Sequence, residues 1–199
     1  MSETKNFGKS IRARLLNVAK QEEVFYQTIL TRYFQERLLY RISQTRYREN
    51  FYLKGGALMY AYERFAARPT LDIDFLGTRI SNDGKRIAEA FREICSVDCK
   101  EDGVQYDCDK IVTQNITEFK DYHGVRLIIP VTMDTIAQVL TMDVGFGDVV
   151  TPHPVALDYP LLLEGLPEAN ILAYSTETVI AEKMHAIIDL ADQSSRMKD

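Results

Sequence analysis

Asp72 and Asp74 are the residues of this 199-residue sequence whose type and spacing point most directly to chemistry. They lie in Leu71-Asp-Ile-Asp-Phe-Leu76, between apolar neighbours that read as a strand. Side chains alternate in an extended segment, so both carboxylates leave the same face. Two carboxylates that close repel each other unless a cation lies between them. Hard oxygen donors of this kind suit Mg²⁺ or Mn²⁺, and Mg²⁺ is commonly held by one or two carboxylates together with substrate phosphates. A third acid, Asp143, lies in Val139-Leu-Thr-Met-Asp-Val-Gly-Phe146, on the face shared by Val139 and Thr141. If this strand neighbours the first, three carboxylates converge on one or two ions. Such ions can activate an attacking hydroxyl and stabilise leaving pyrophosphate. Taken singly, each acid reads as a turn or strand-end residue; the ordered set predicts a site.

Positioning these acids requires a defined series of elements. Phe51–Leu53 reads as a short strand entering the Gly55-Gly56 turn, followed by a helix over Ala57–Ala67 that Pro69 ends. Leu71–Leu76 is the strand carrying the acid pair, and Asp83–Cys95 a helix capped by Ser81 or Asn82. Tyr106–Ile116 and Gly124–Val131 are expected to pair through the loop Glu118–His123, with Val139–Phe146 as the next strand. Pro152, Pro154, Pro160 and Pro167 then predict loops. A last helix begins near Ser175, with an apolar stripe of Ile180, Met184, Ile187, Ile188 and Ala191 expected to face the core. Lys183 falls on the margin of that stripe, where a long side chain can reach into a cleft. The fold class is α/β (α+β), a mixed sheet flanked by helices.

Upstream, Ser10–Lys20 and Glu22–Ser43 read as helices forming a basic N-terminal region over residues 1–50, ahead of a domain over 51–199. Residues 1–50 hold ten Lys/Arg against five Glu, or +5, so the remainder carries −10 of the net −5. The basic region either grips a phosphate backbone or is a solvated helical face. Tyr26, Tyr33, Tyr40 and Tyr47 recur every seven residues and read as a packing seam rather than a base-stacking platform. A hydrophobic content of 46% predicts a packed core. The sequence has neither a membrane-length apolar run nor the apolar segment of a signal peptide at its start, which predicts a cytoplasmic protein. Cys95, Cys99 and Cys108 match no zinc spacing, His123, His153 and His185 form no triad pattern, and Gly55-Gly56 lacks the Gly-Lys-Ser/Thr of a phosphate loop.

The segments LKGGALMY, RPTLDIDFL, TMDVGFGDVVTP, YPLLLEGLP and AYSTETVIAEKMHA resemble the AbiEii/AbiGii toxin family, over about Phe51 to Asp199. That resemblance implies the nucleotidyltransferase superfamily and the toxins of type IV toxin–antitoxin and phage-defence systems. It implies transfer of a nucleoside monophosphate from an NTP to an acceptor hydroxyl, with RNA, especially tRNA, as acceptor and a cognate antitoxin as partner. Asp72 and Asp74 would hold Mg²⁺ or Mn²⁺, and Asp143 would complete the metal site or act as general base. Lys183, in the Glu-Lys of the last segment, would contact the nucleotide. Gly55 and Gly56 stand where the superfamily usually has Gly-Ser, so backbone N–H groups at the helix start would replace a hydroxyl. Lys54 and Arg68 are further cationic candidates for the nucleotide. Asp199 belongs to an Arg-x-Lys-Asp segment whose aspartate the resemblance places at the nucleotide site and after which related proteins continue, so the chain is expected to be truncated. The alternative is a catalytically inactive relative that binds a protein or nucleic acid.

Overall fold

The computed structural model describes residues 6–117 and 123–190. Its elements run α1 (Phe7–Gln21), α2 (Tyr26–Ser43), β1 (Phe51–Lys54), α3 (Gly55–Glu63), β2 (Asp72–Gly77), α4 (Gly84–Cys95), β3 (Gln105–Tyr106), β4 (Val112–Thr117), β5 (His123–Met133), β6 (Ile136–Phe146), β7 (Val155–Tyr159), β8 (Ala169–Ala173) and α5 (Thr176–Leu190). Among the described residues the strands form one sheet in the order β3-β5-β6-β2-β1-β8-β7, with β4 beside β3 along the same edge of β5. The β2–β6 and β1–β8 pairs are parallel; the other pairs are antiparallel. The fold is therefore a mixed α+β sheet with flanking helices.

Strand alternation explains how one side of this sheet becomes core and the other remains open. Leu53, Ile73, Phe75, Met142, Val144, Val125 and Leu127 are all buried, whereas Asp72, Asp74, Asp143 and Arg126, at the alternate positions, are half-buried. The buried side chains join α1, α2 and α4 in one hydrophobic cluster that includes residues from Ile11 to Tyr174. Each fully buried Leu, Ile or Phe in such a cluster contributes about 1.5–3 kcal/mol relative to exposure. Helix α2 is buried along most of its length, including Ile29, Phe34, Leu38 and Ile42. Tyr33 is wholly buried and donates to Asp102 O at 2.8 Å, while Tyr26, Tyr40 and Tyr47 pack against the core, so these tyrosines form a seam.

Several boundaries differ from the sequence-based expectation. Helix α3 stops at Glu63 because Arg64 adopts a left-handed φ of 54°, four residues before Arg68 and well ahead of Pro69. Asp83, rather than Ser81 or Asn82, caps α4, accepting from the Lys85 and Arg86 N–H groups at 3.0 and 3.1 Å. The expected strand Tyr106–Ile116 is split by a 3₁₀ turn over Cys108–Lys110. The proline-punctuated segment holds two strands, β7 and β8, that pair with each other, β8 also pairing with β1.

Part of the basic N-terminal region is neither a solvated nor a phosphate-gripping face, although Lys9, Arg12, Arg14, Lys20 and Arg46 are exposed. Arg32, Arg37 and Arg41 are buried. Arg41 pairs with Asp102 at 2.7 Å and donates to Val104 O; Arg37 donates twice to Pro167 O and pairs with Glu36; Arg32 donates to Ala67 O and lies over the Tyr60 ring. Guanidinium groups can enter a core because their planar donor fork meets several fixed acceptors at once. Their charge is consumed inside the fold.

Candidate active site

The acid pair is placed by two parallel strands. In the β2–β6 ladder Asp74 faces Asp143 and Asp72 faces Thr141. On either side, Lys54 of β1 faces Asp74, and Arg126 of β5 faces Asp143. Directly opposed residues share a sheet face. Lys54, Asp74, Asp143 and Arg126 thus form a transverse row across four strands, with Asp72 one step along on the same side.

The glycine turn closes one end of this row. β1 ends at Lys54 and α3 begins at Gly55, whose φ is +66°. A Cβ on Gly55 would collide with the Asp74 carboxyl, lying 2.8 Å from its Cγ. Position 55 therefore needs glycine twice over, for its backbone angle and for the approach of Asp74. A Cβ on Gly56 would lie 2.8 Å from Thr70 Cβ. That contact explains why glycine stands where a serine was the expected residue: Thr70 fills the space. Its hydroxyl donates to Asp72 O at 3.1 Å, fixing Thr70 at the start of the strand of acids.

Electrostatics differ sharply among the acids. Burial raises the Asp72 carboxyl above its ordinary range, and the Asp143 charge raises it further, against a smaller opposing effect of Arg126. Mutual repulsion of this kind is what a cation would relieve. Asp143 is engaged by Arg126 through both oxygens, with Nε donating at 2.8 Å and Nη2 at 2.7 Å. Among the described residues no three acid, histidine or cysteine groups close into a metal cage. The donor chemistry still fits a hard divalent cation held by Asp72 and Asp74 with phosphate oxygens completing the shell.

The remaining candidates have different settings. Lys54 Nζ bonds Asp148 at 2.7 Å and Glu182 of α5 at 2.5 Å, and Tyr174 donates to the same Asp148 oxygen at 2.8 Å. Lys183 follows Glu182 on α5 and is half-buried. Arg68 is exposed in the connection between α3 and β2. Asp199 lies outside the described residues, as do Ala191 and most of the loop Glu118–His123. The expected apolar stripe on α5 does not face the core at its described positions. Ile180 and Met184 are 54% and 58% exposed, while Ser175 and Thr178 turn inward to bond Thr151 O and Glu182 reaches Lys54. Polar partners, rather than the stripe, set the rotation of this helix. A cavity of 630 Å³ lies beside it, lined by residues including Asp148, Thr151, Tyr174, Glu182 and His185, and the three strand acids are not part of its wall.

Arg126, Asp148, Glu182 and Thr70 were not among the sequence candidates. Arg126 carried a usable signal, being a lone charge in the apolar run Val125-Arg-Leu-Ile-Ile129. Glu182 had one too, next to Lys183, but its partner in β1 is distant in sequence.

Residues 37–199 match the family described as nucleotidyl transferase AbiEii toxin, type IV toxin–antitoxin system. The chain belongs to the AbiEii family. No curated protein matches it. Among solved structures, this chain folds like a candidate nucleotidyltransferase from H. pylori, at TM-score 0.54 and 15% identity, covering 86% of this chain and 64% of that one. JHP933 from Helicobacter pylori is similar at TM-score 0.53 and 16% identity, with 85% and 61% covered. At these identities the likeness concerns the fold alone. The AbiEii chain spans less than two thirds of the length of either structure. No described helix is long and apolar enough to cross a membrane.

Proposed function

We propose that this AbiEii-family chain is a Mg²⁺- or Mn²⁺-dependent nucleotidyltransferase, moving a nucleoside monophosphate from an NTP to an acceptor hydroxyl on RNA, with tRNA as the favoured acceptor. It acts in the cytoplasm as the toxin of a toxin–antitoxin pair, in phage defence, with a cognate antitoxin as its partner. The observation that carries this reading is the juxtaposition of Asp72, Asp74 and Asp143 on parallel β2 and β6, against the glycine turn that starts α3.

In this reading the acceptor oxygen attacks the α-phosphorus as the bond to the β-phosphate breaks, releasing pyrophosphate. A bound divalent cation supplies charge neutralisation and hydroxyl activation. Asp72 and Asp74 hold that cation, and Asp143 adds the third charge beside them. Gly55 and Gly56 let the phosphates approach the backbone, where the N–H groups opening α3 favour an anion. Lys183, Arg68 and Asp199 remain the groups assigned to the nucleotide. Lys54, held between two carboxylates, is better suited to docking α5 than to meeting a phosphate.

The test is incubation of the protein with each labelled NTP and total RNA, followed by identification of the labelled molecule. Label should move to RNA with the parent and not with Asp72→Asn or Asp74→Asn, both folded. If both variants remain as toxic as the parent, a binding role replaces catalysis.

A further inference from the structure

Arg126 is the residue of the acid cluster that the reading above leaves unused. It arises from the first half of the eleven-residue strand β5, directly opposite Asp143, and its fork meets both carboxylate oxygens. A two-point ion pair fixes the orientation of both partners, which a single contact does not. The pair stands at the margin of the cluster, with the arginine side chain 40% exposed and the aspartate 24% exposed. Arg126 can therefore swing toward solvent without opening the core.

Charge decides what this pair is for. Asp72, Asp74, Asp143, Asp148 and Glu182 place five acids along this end of the sheet, against Lys54 and Arg126. Lys54 is engaged by Asp148 and Glu182, whereas Arg126 is engaged by the strand acid Asp143. A triphosphate entering such a field meets net repulsion unless positive charge is supplied. A divalent cation supplies part of it. The same cation, placed against Asp143, repels the guanidinium and takes over the charge that Arg126 was neutralising.

We propose that Arg126 is an exchangeable counter-ion and substrate-contacting residue of this site: it holds Asp143 when the cation is absent, yields that carboxylate to the cation, and then pairs with the phosphates of the nucleotide. This rests on the function proposed above and adds to it an order of assembly. Cation and polyphosphate then bind with positive coupling, because each favours the state in which Arg126 has left Asp143. Linkage makes that coupling reciprocal.

The experiment uses Mn²⁺ and inorganic tripolyphosphate as probes, so that neither base nor acceptor identity matters. Calorimetry is run on the full chain and on Arg126→Gln, with melting curves to establish that the variant is folded. Arg126→Gln should bind Mn²⁺ alone about tenfold more tightly, since nothing competes for Asp143, and should bind tripolyphosphate with Mn²⁺ present about tenfold more weakly, the scale of one lost charge-assisted contact. Arg126→Lys, which keeps the charge and loses the fork, should fall between. Unchanged or weaker Mn²⁺ binding by Arg126→Gln would overturn the exchange, and unchanged tripolyphosphate affinity would overturn the phosphate contact. A parent chain that binds neither probe would instead remove the proposed function, and this inference with it.

Discussion

The Asp74 carboxyl lies directly over the α-carbon of Gly55, close enough that no side chain can stand between them. Turn and acid are thereby coupled, since whatever moves the start of α3 also moves Asp74. Gly55→Ala should destabilise the fold by about 2 kcal/mol or more, combining a left-handed backbone penalty with a steric one. Urea unfolding gives the loss, and Mn²⁺ titration should show weakened binding in whatever fraction folds.

Gly56 makes a separate and reversible case. Gly56→Ser should be destabilised by its collision with Thr70 Cβ, and Thr70→Gly, which removes that atom, should relieve it. The double variant is expected to be more stable than the sum of the two single changes by about 1 kcal/mol. A strictly additive cycle would mean that Thr70 is not what excludes a side chain at position 56.

Replacing Lys54 by Met leaves Asp148 and Glu182 without their shared cation. The expected cost is about 2–3 kcal/mol, reduced from that of a fully buried pair by their partial exposure. Hydrogen exchange should accelerate chiefly over the start of α5, with tripolyphosphate affinity little changed. A selective loss of tripolyphosphate binding with α5 still protected would return Lys54 to the nucleotide.

Arginines of the N-terminal helices should divide by burial rather than by charge. Arg41→Ala strands Asp102 in the core and should cost about 3–5 kcal/mol. Arg46→Ala, whose partner Glu93 is on the surface, should leave the melting temperature nearly unchanged. Thermal melts of the two variants distinguish these outcomes directly.

Glu36 carries a pH signature. Burial pushes its carboxyl up to about 7, opposed by Arg37 and by the Leu162 N–H. The folded state then binds the proton more tightly than the unfolded chain does, so the contribution of this group to stability falls as pH rises from about 4.5 to 7. Urea midpoints taken at pH 5 and pH 8 should show a decline in the parent that is smaller in Glu36→Gln. For Asp72, also raised, the sign for ligand binding is opposite: a cation needs the ionised form, so Mn²⁺ affinity should fade on acidification at a higher pH than an ordinary aspartate would give.

The acids were legible because a strand repeats every two residues, so that Asp72 and Asp74 share a face wherever the strand lies. Their meeting with Asp143 depended on which strands become neighbours, and alternation in β6 carried that only as a condition. Three features were out of reach for identifiable reasons. β7 and β8 are short and lie among prolines, and their pairing with each other, and of β8 with β1, comes from the sheet rather than from local preference. Periodicity located an apolar stripe on α5, but Ser175, Thr178 and Glu182 found fixed polar partners and turned Ile180 and Met184 outward. The arginines of α2 looked like surface charge because their acceptors, Asp102, Val104 and Pro167, are supplied by segments far along the chain.

Helix α2 spans Tyr26–Ser43, and the stretch shared with the family begins at residue 37, inside it. The recognisable unit and the foldable unit are consequently different objects. Trimming the protein to the shared stretch would delete Ile29, Leu30, Tyr33 and Phe34, each buried against the sheet or its neighbours, and leave a stub too short to hold a helix alone. The matched stretch carries the strands that bear Asp72, Asp74 and Asp143, while part of the core packed beneath them is supplied by residues that precede position 37.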